Sequence, residues 1–212
     1  MVFDSIRIID IHSELLRRYS IEPGFRDKHA INSIIYKMNN KISGNEIYPD
    51  DYSKAASMFE GIIRFHPFID GNKRTALASI QEYLLEKNIV FVIPLSAVRF
   101  AVKVAQENRL DQDIIENLIT NISGWLKYRS ASFNDARQLK KIYEYDIKLI
   151  KKIAKIAKER KDPEIISRTI DYWLAKDIYP DSDITLEQVL QFLGERGEYT
   201  MKFFKQKSKK MK

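Results

Sequence analysis

Cysteine is absent from the 212 residues, which excludes disulfides, thiolate metal centres and cysteine nucleophiles and fits a reducing compartment. Glycine and proline are sparse, with 7 and 6 copies, so collagen-like and low-complexity architectures are excluded as well. Long apolar runs are missing: no stretch approaches the roughly 20 residues that span a bilayer. The opening MVFDSIRIIDIHSELLRRYS carries charge every few residues, unlike the unbroken apolar segment of a signal peptide. The expected address is therefore the cytoplasm, with no membrane partner. Strand-like alternation is scarce too, and apolar residues recur at helical spacing almost everywhere. A chain of this length hides about 70% of its unfolded surface on folding, enough for a core without covalent staples. The expected fold class is all-α.

Charge is unevenly placed. Residues 1–130 hold 17 Lys and Arg against 16 Asp and Glu, and residues 131–212 hold 19 against 13, so the net +7 divides into +1 and +6. This split suggests a near-neutral domain over 1–130 and a basic helical extension over 131–212, ending in KQKSKKMK. A hydrated lysine face is the plain reading of the extension. Salt-dependent nucleic-acid binding, with Tyr143, Tyr145, Tyr172 and Trp173 stacking on bases, is a rival reading that would make the chain a non-catalytic binding protein. Aromatics at helical spacing more often belong to a core, and no zinc-finger or glycine-loop pattern accompanies them, which disfavours nucleic acid.

Local signals place the helices. Asp4 caps a first helix running to about Tyr19, with Ile8, Ile11, Leu15 and Leu16 on one face. Pro23-Gly24 breaks it, and Asp27 caps a second helix to Asn39 with Ile31, Ile34, Ile35 and Met38 inward. The stretch KISGNEIYPDD carries a Gly44-Asn45 pair between β-compatible pieces, a hairpin signal. A buried helix follows over about 50–65. Pro67 disfavours helical geometry at His66 and pushes it toward extended backbone, so the helix ends near Phe65. A further helix spans about 72–87 on Leu77, Ile80, Leu84 and Leu85. Pro94 and Asp111 open two more, to about Glu107 and Lys127. Residues 136–160 form the longest helical pattern, with Leu139, Ile142, Tyr143, Ile150, Ile153 and Ala157 on one side and Leu149 and Ile156 on another. So wide an apolar arc asks for cover on more than one face, by the first domain or by a second copy of the chain. Shorter helices are expected over about 163–176 and 184–193.

The segment His66-Pro67-Phe68-Ile69-Asp70-Gly71-Asn72-Lys73-Arg74 carries the chemistry. It places an imidazole, a carboxylate, a glycine turn and two cations at the start of a helix. The free N–H groups of a helix N-terminus attract anions, and glycine lets the main chain approach them closely. Lys73 and Arg74 add fixed positive charge against phosphate oxygens. Asp70 offers the hard oxygen that Mg2+ uses beside phosphates. His66 can take a proton from an attacking hydroxyl near neutral pH. Each residue also has a plainer reading: a packed histidine, an aspartate capping the next helix, a simple turn, a solvated basic pair. Cations at a helix N-terminus oppose the dipole, however, which favours an anionic ligand.

These nine residues resemble the signature of the Fic/Doc family, His-x-Phe-x-Asp/Glu-Gly-Asn followed by a basic pair. Lys73 in HPFIDGNKRTAL is similar to the death-on-curing branch. Members that transfer AMP usually have glycine there and a second arginine three residues after the first, where this chain has Leu77. The resemblance covers about residues 4–128, with YSIEPGFRD, GNEIYPDDY and KNIVFVIPLSAV in the family's order. It implies a Fic/Doc-type helical bundle with a β-hairpin flap, followed here by the unmatched helical extension. It also implies an enzyme that moves part of ATP, with Mg2+, onto a Ser/Thr hydroxyl of a protein. Carried over by position, His66 is the general base, Asp70 the magnesium ligand, Phe68 the loop anchor, and Gly71, Asn72, Lys73 and Arg74 the phosphate cradle. Gly44, Asn45, Glu46 and Ile47 form a flap that holds an extended target segment by strand addition. Lys73 favours phosphoryl transfer, with AMP transfer as the alternative. The family's inhibitory pattern, Ser/Thr-x-x-x-Glu-Gly/Asn, is not met at Glu60-Gly61, because position 56 is alanine and Leu77 offers no partner. Glu60 then reads as an ordinary helix residue. Restraint is expected from an antitoxin or from the C-terminal extension, which is also a candidate homodimer surface.

Overall fold

A computed structural model describes residues 3–94, 96–106 and 111–159. The helices expected at 163–176 and 184–193, together with Tyr172 and Trp173, lie outside the described residues.

Helix α1 spans Ser5–Arg18, and the Asp4 side chain accepts from the Arg7 N–H at 3.0 Å. Helix α2 spans Lys28–Asn39, with Asp27 accepting from His29 and Ala30. Two two-residue strands follow, β1 (Lys41–Ile42) and β2 (Asn45–Glu46). Helix α3 spans Asp51–Phe65 behind an Asp50–Ser53 capping box, in which each residue's side chain satisfies an orphan N–H of the other. Then come α4 (Asn72–Glu86), β3 (Ile89–Phe91), α5 (Ala97–Gln106), α6 (Gln112–Tyr128, capped by Asp111), β4 (Ser130–Ser132) and α7 (Ala136–Glu159). The fold is all-α in class: the described residues hold seven helices and only two short antiparallel strand pairs.

Helix α3 lies at the centre, packed on α2, α4, α5 and α6. Its residues Ala55 to Ile63 are all buried, as expected of a helix enclosed on every side. Beyond it the core is aromatic: Trp125 of α6 meets Phe100 at 4.3 Å and the edge of Phe91 at 5.2 Å. The first compact unit comprises residues 1–143, and a second begins at Glu144. The boundary expected at 130 falls inside β4.

Several expectations change. The hairpin turns on Ser43-Gly44, both at positive φ (51° and 84°), and Asn45 belongs to β2, paired with Ile42. A two-residue turn with both residues left-handed matches the natural strand twist, so the turn sits one residue earlier than the Gly44-Asn45 reading. Strands β3 and β4 were not expected; Ile89 pairs with Ser132 and Phe91 with Ser130. Helix α5 starts three residues after Pro94, whose carbonyl accepts from the Ala97 N–H. Leu85 is 51% exposed, because it lies about 100° around α4 from the buried Leu84 and falls outside the covered stripe.

Among the described side chains of α7, only part of the expected wide arc is buried. Ile142 and Leu149, two turns apart, are buried, whereas Tyr143, Ile147 and Ile150 are exposed. In the first unit Ile142 and Leu139 pack with Val90 and Val92 of the β3 region and Ala131 of β4. The side chains of Ile153, Ile156 and Ala157 lie outside the described residues.

Candidate active site

Helix α3 ends at Phe65, and its C-terminal residue His66 adopts the left-handed conformation, φ 47° and ψ 56°. The expected extended backbone at His66 is thus corrected. A residue with a Cβ pays about 1–2 kcal/mol for this geometry, so the surroundings must impose it. They do so by main-chain pairing. Arg26 and Asp27 N–H groups both donate to the Pro67 carbonyl, at 2.8 and 3.1 Å, and the Ile69 N–H donates to the Gly24 carbonyl at 3.1 Å. The segment before α2 therefore braces the loop from outside. Gly24 at φ 123° suits this approach, since residues with a Cβ rarely adopt that backbone conformation.

Asn72 closes the loop from inside. Its Oδ1 accepts from the Phe68 N–H at 3.0 Å, and its Nδ2 donates to the Phe68 carbonyl at 2.8 Å. This fixes the amide's orientation and turns Nδ2 toward His66 Nδ1, 3.4 Å away. The contact is long for a hydrogen bond and places the ring without setting its tautomer. Phe68 is wholly buried, stacked on His12 with ring centroids 3.7 Å apart and in tilted contact with Phe25 at 5.5 Å. It anchors the loop.

The start of α4 differs from its neighbours. Asp4, Asp27, Asp50 and Asp111 cap α1, α2, α3 and α6, but α4 has no side-chain cap. Its N-cap is Gly71, which has no side chain, and the preceding Asp70 accepts from the Gly71 N–H at 2.6 Å, so the first-turn amides stay uncapped. Gly71 sits at φ 77°, where a Cβ would also press within 2.9 Å of Ile21. The result is an amide nest edged by the exposed carboxylate of Asp70, the half-buried Lys73 and the exposed Arg74. This geometry suits a bound anion. Among the described residues no cluster of three or more His, Asp or Glu could hold a metal alone. A single accessible carboxylate beside an anion site fits Mg2+, which usually takes only one or two protein carboxylates and fills its other positions with phosphate oxygens and water.

His66 is half-buried. Burial holds its imidazole below the ordinary value of 6.5, and the charges of Lys73 and then Arg26 push it further the same way. This favours the neutral imidazole near pH 7. The guanidinium of Arg74 lies 5.0 Å over the ring of Tyr19.

The structure brings His66, Phe68, Asp70, Gly71, Asn72, Lys73 and Arg74 together. The flap residues stand apart. Glu46 is tied to Lys54 in the first turn of α3 at 2.9 Å, and the Ile47 N–H donates to the Asn40 carbonyl. No hydrogen bond, ion pair or ring contact joins residues 43–47 to 66–74. Lys54 lies twelve residues before His66, about 18 Å along the helix axis. Gly44, Asn45 and Glu46 are exposed, so the hairpin edges are open, while Ile47 is half-buried.

Three residues escaped the sequence reading. Arg26 acts on His66 electrostatically, and Tyr19 supports Arg74 from the end of α1; neither carries a local signal. Glu60 was read as an ordinary helix residue, yet it is only 1% exposed and pairs with Arg64 and, at 3.4 Å, with Lys37 of α2. A carboxylate within an apolar helical run was the available signal.

Comparison with known proteins adds to this geometry. The model of the Fic/DOC family matches residues 2–84. That segment is similar to the Fic/DOC family over less than half of the chain. A 59-residue stretch is 32% identical to "Toxin Doc" of Mycolicibacterium smegmatis, covering 28% of this chain and 45% of that protein. The chain thus spans less than half the length of the curated relative it matches. No solved structure matches. The matched segment ends within α4, so it contains α1 to α3, the hairpin and the whole His66–Arg74 loop.

Proposed function

We propose that this protein is a Fic/Doc-type transferase that moves the terminal phosphoryl group of ATP onto a Ser or Thr hydroxyl of a target protein. The observation that carries the reading is the uncapped start of α4, set beside a half-buried imidazole and flanked by Lys73 and Arg74. In the proposed step, the hydroxyl oxygen attacks the terminal phosphorus as the bond to the bridging oxygen breaks, ADP departs, and His66 takes the hydroxyl proton. The amides of Asn72 to Arg74 and the two cations hold the phosphate oxygens and offset their charge, since this chemistry depends chiefly on positioning and electrostatic support. Asp70 would hold Mg2+ together with those oxygens, and the ion would supply further neutralisation of charge.

Leu77 supports phosphoryl over AMP transfer. It is buried in the α4 stripe, so no cation occupies the position where AMP-transferring relatives place a second arginine. Glu60 is committed to Arg64 and Lys37, which supports restraint from elsewhere. The matched relative is named a toxin, and on that basis an antitoxin is the proposed partner. The open hairpin edges at Gly44 to Glu46 suit strand addition by an extended segment, at the end of α3 opposite His66.

The test incubates the protein with cell extract and ATP labelled at either the alpha or the gamma phosphorus. Gamma label on a protein, lost in His66→Ala, is the expected result. Alpha label would make the enzyme an AMP transferase, and no label on any protein would overturn the transferase reading.

A further inference from the structure

His12 is a buried imidazole that the proposed step does not use. It faces inward from α1, is 3% exposed, and lies flat on the ring of Phe68 with an interplanar angle of 13°. Its Nδ1 is 3.0 Å from the Thr75 hydroxyl, which in turn donates to the Gly71 carbonyl at 3.1 Å. A hydroxyl has one proton to give. With the Thr75 proton on Gly71, the proton between His12 and Thr75 comes from Nδ1, the arrangement that leaves Nε2 as a lone pair rather than as a buried unpaired N–H. The neutral ring then carries hydrogen on Nδ1 and a bare lone pair on Nε2, and Nε2 is buried without a hydrogen-bond partner. Burial lowers the affinity of this ring for a second proton, opposed by the charge of Asp70.

Two routes lead from His12 to the loop. One runs through Thr75 to the Gly71 carbonyl, which also accepts the Thr75 N–H at 2.9 Å and so sets the first turn of α4. The other runs through the face of Phe68, whose N–H and carbonyl are both held by Asn72, the residue in contact with His66. Packing tightens the arrangement, because a Cβ on Gly71 would lie 3.4 Å from His12 Cε1.

We propose that His12, as the Nδ1–H tautomer, is a positioning residue for the anion loop, fixing through the Thr75 hydroxyl and the Phe68 ring the main chain that carries Asp70, Gly71 and Asn72. The inference deepens the transferase reading and rests on it for its purpose, but its geometry can be tested without turnover. In the full-length 15N-labelled protein, long-range proton–nitrogen correlation reads the tautomer of His12, and amide hydrogen exchange reads the order of residues 68–75. The expected wild-type signature is a protonated Nδ1 and an unprotonated Nε2. Thr75→Val should speed exchange of the hydrogen-bonded Phe68, Gly71 and Thr75 amides about fivefold, the worth of one neutral hydrogen bond, with α6 amides unchanged. Thr75→Ser should restore them. His12→Phe, which keeps the stacked ring and removes the donor, should act in the same direction as Thr75→Val.

A wild-type His12 protonated at Nε2 would overturn the inference, and so would unchanged loop exchange in Thr75→Val. The tautomer measurement decides even where a variant fails to fold. If His66→Ala abolishes transfer while Thr75→Val leaves both loop exchange and transfer at wild-type levels, the enzyme reading stands and the role of His12 falls. If no transfer is found in any form, the exchange data still judge the loop.

Discussion

The two ends of α3 are built on opposite principles. At its N-terminus Asp50 and Ser53 satisfy each other's backbone groups, and the flap beside it is held through Glu46–Lys54 and otherwise exposed. At its C-terminus the chain enters a left-handed residue and then a loop in which Phe68 is bonded on both sides by Asn72, stacked on His12 and braced by the 24–27 segment. The first end spends its polar side chains on closing a helix. The second uses them to hold a loop whose outgoing helix remains uncapped. Where a fold leaves orphan donors open yet fixes everything around them, the donors are available for a ligand.

The largest way to break this contrast is His66→Ala. Transfer should fall by about 10²–10⁴-fold, the usual worth of a general base, with the circular dichroism spectrum unchanged; retained transfer would remove His66 from the chemistry. Next is Phe68→Ala, which takes a wholly buried ring from between His12 and Phe25 and should cost about 3–5 kcal/mol in denaturant unfolding. A loss below 1 kcal/mol would mean that the ring is no anchor. Gly71→Ala forces a side chain into a left-handed site already close to Ile21. Strain alone amounts to about 1–2 kcal/mol, and ATP binding followed by calorimetry should weaken with it.

A subtler change sharpens the contrast. His66 must be neutral to accept a proton, so activity rises as pH climbs through its pKa and levels off above. Lys73→Met removes one of the charges that hold this pKa down, and the acid limb of kcat/KM should therefore move to higher pH. A limb that stays in place would show that Lys73 does not act on His66. The smallest effect belongs to the other end of α3: Glu46→Gln breaks a pair whose carboxylate is at the surface and should lower Tm only slightly, as melting by circular dichroism would show.

Local signals made much of this legible. The Asp caps at positions 4, 27 and 111 and the stop at Phe65 before Pro67 depend on groups a few residues apart. So does the cluster from His66 to Arg74, which one loop must bring together. The backbone of His66 was misread because Pro67 argues for extended geometry, and main-chain pairing with residues 24–27 overrides it. Leu85 and Tyr143 were misread because helical periodicity shows which residues share a face but not where the neighbouring element stops covering it. Glu60 was misread because its partners include Lys37, contributed by a different helix.

By itself the sequence determined the limits of α1 to α4 and α6, the all-α class and the order of chemical groups along the loop, since capping, proline geometry and periodicity act over a few residues. Tertiary structure alone decided that Arg26 bears on His66, that His12 lies on Phe68, and that β3 joins β4 across about forty residues. Burial and electrostatic influence depend on distance in space, and the chain sets that distance only when it folds.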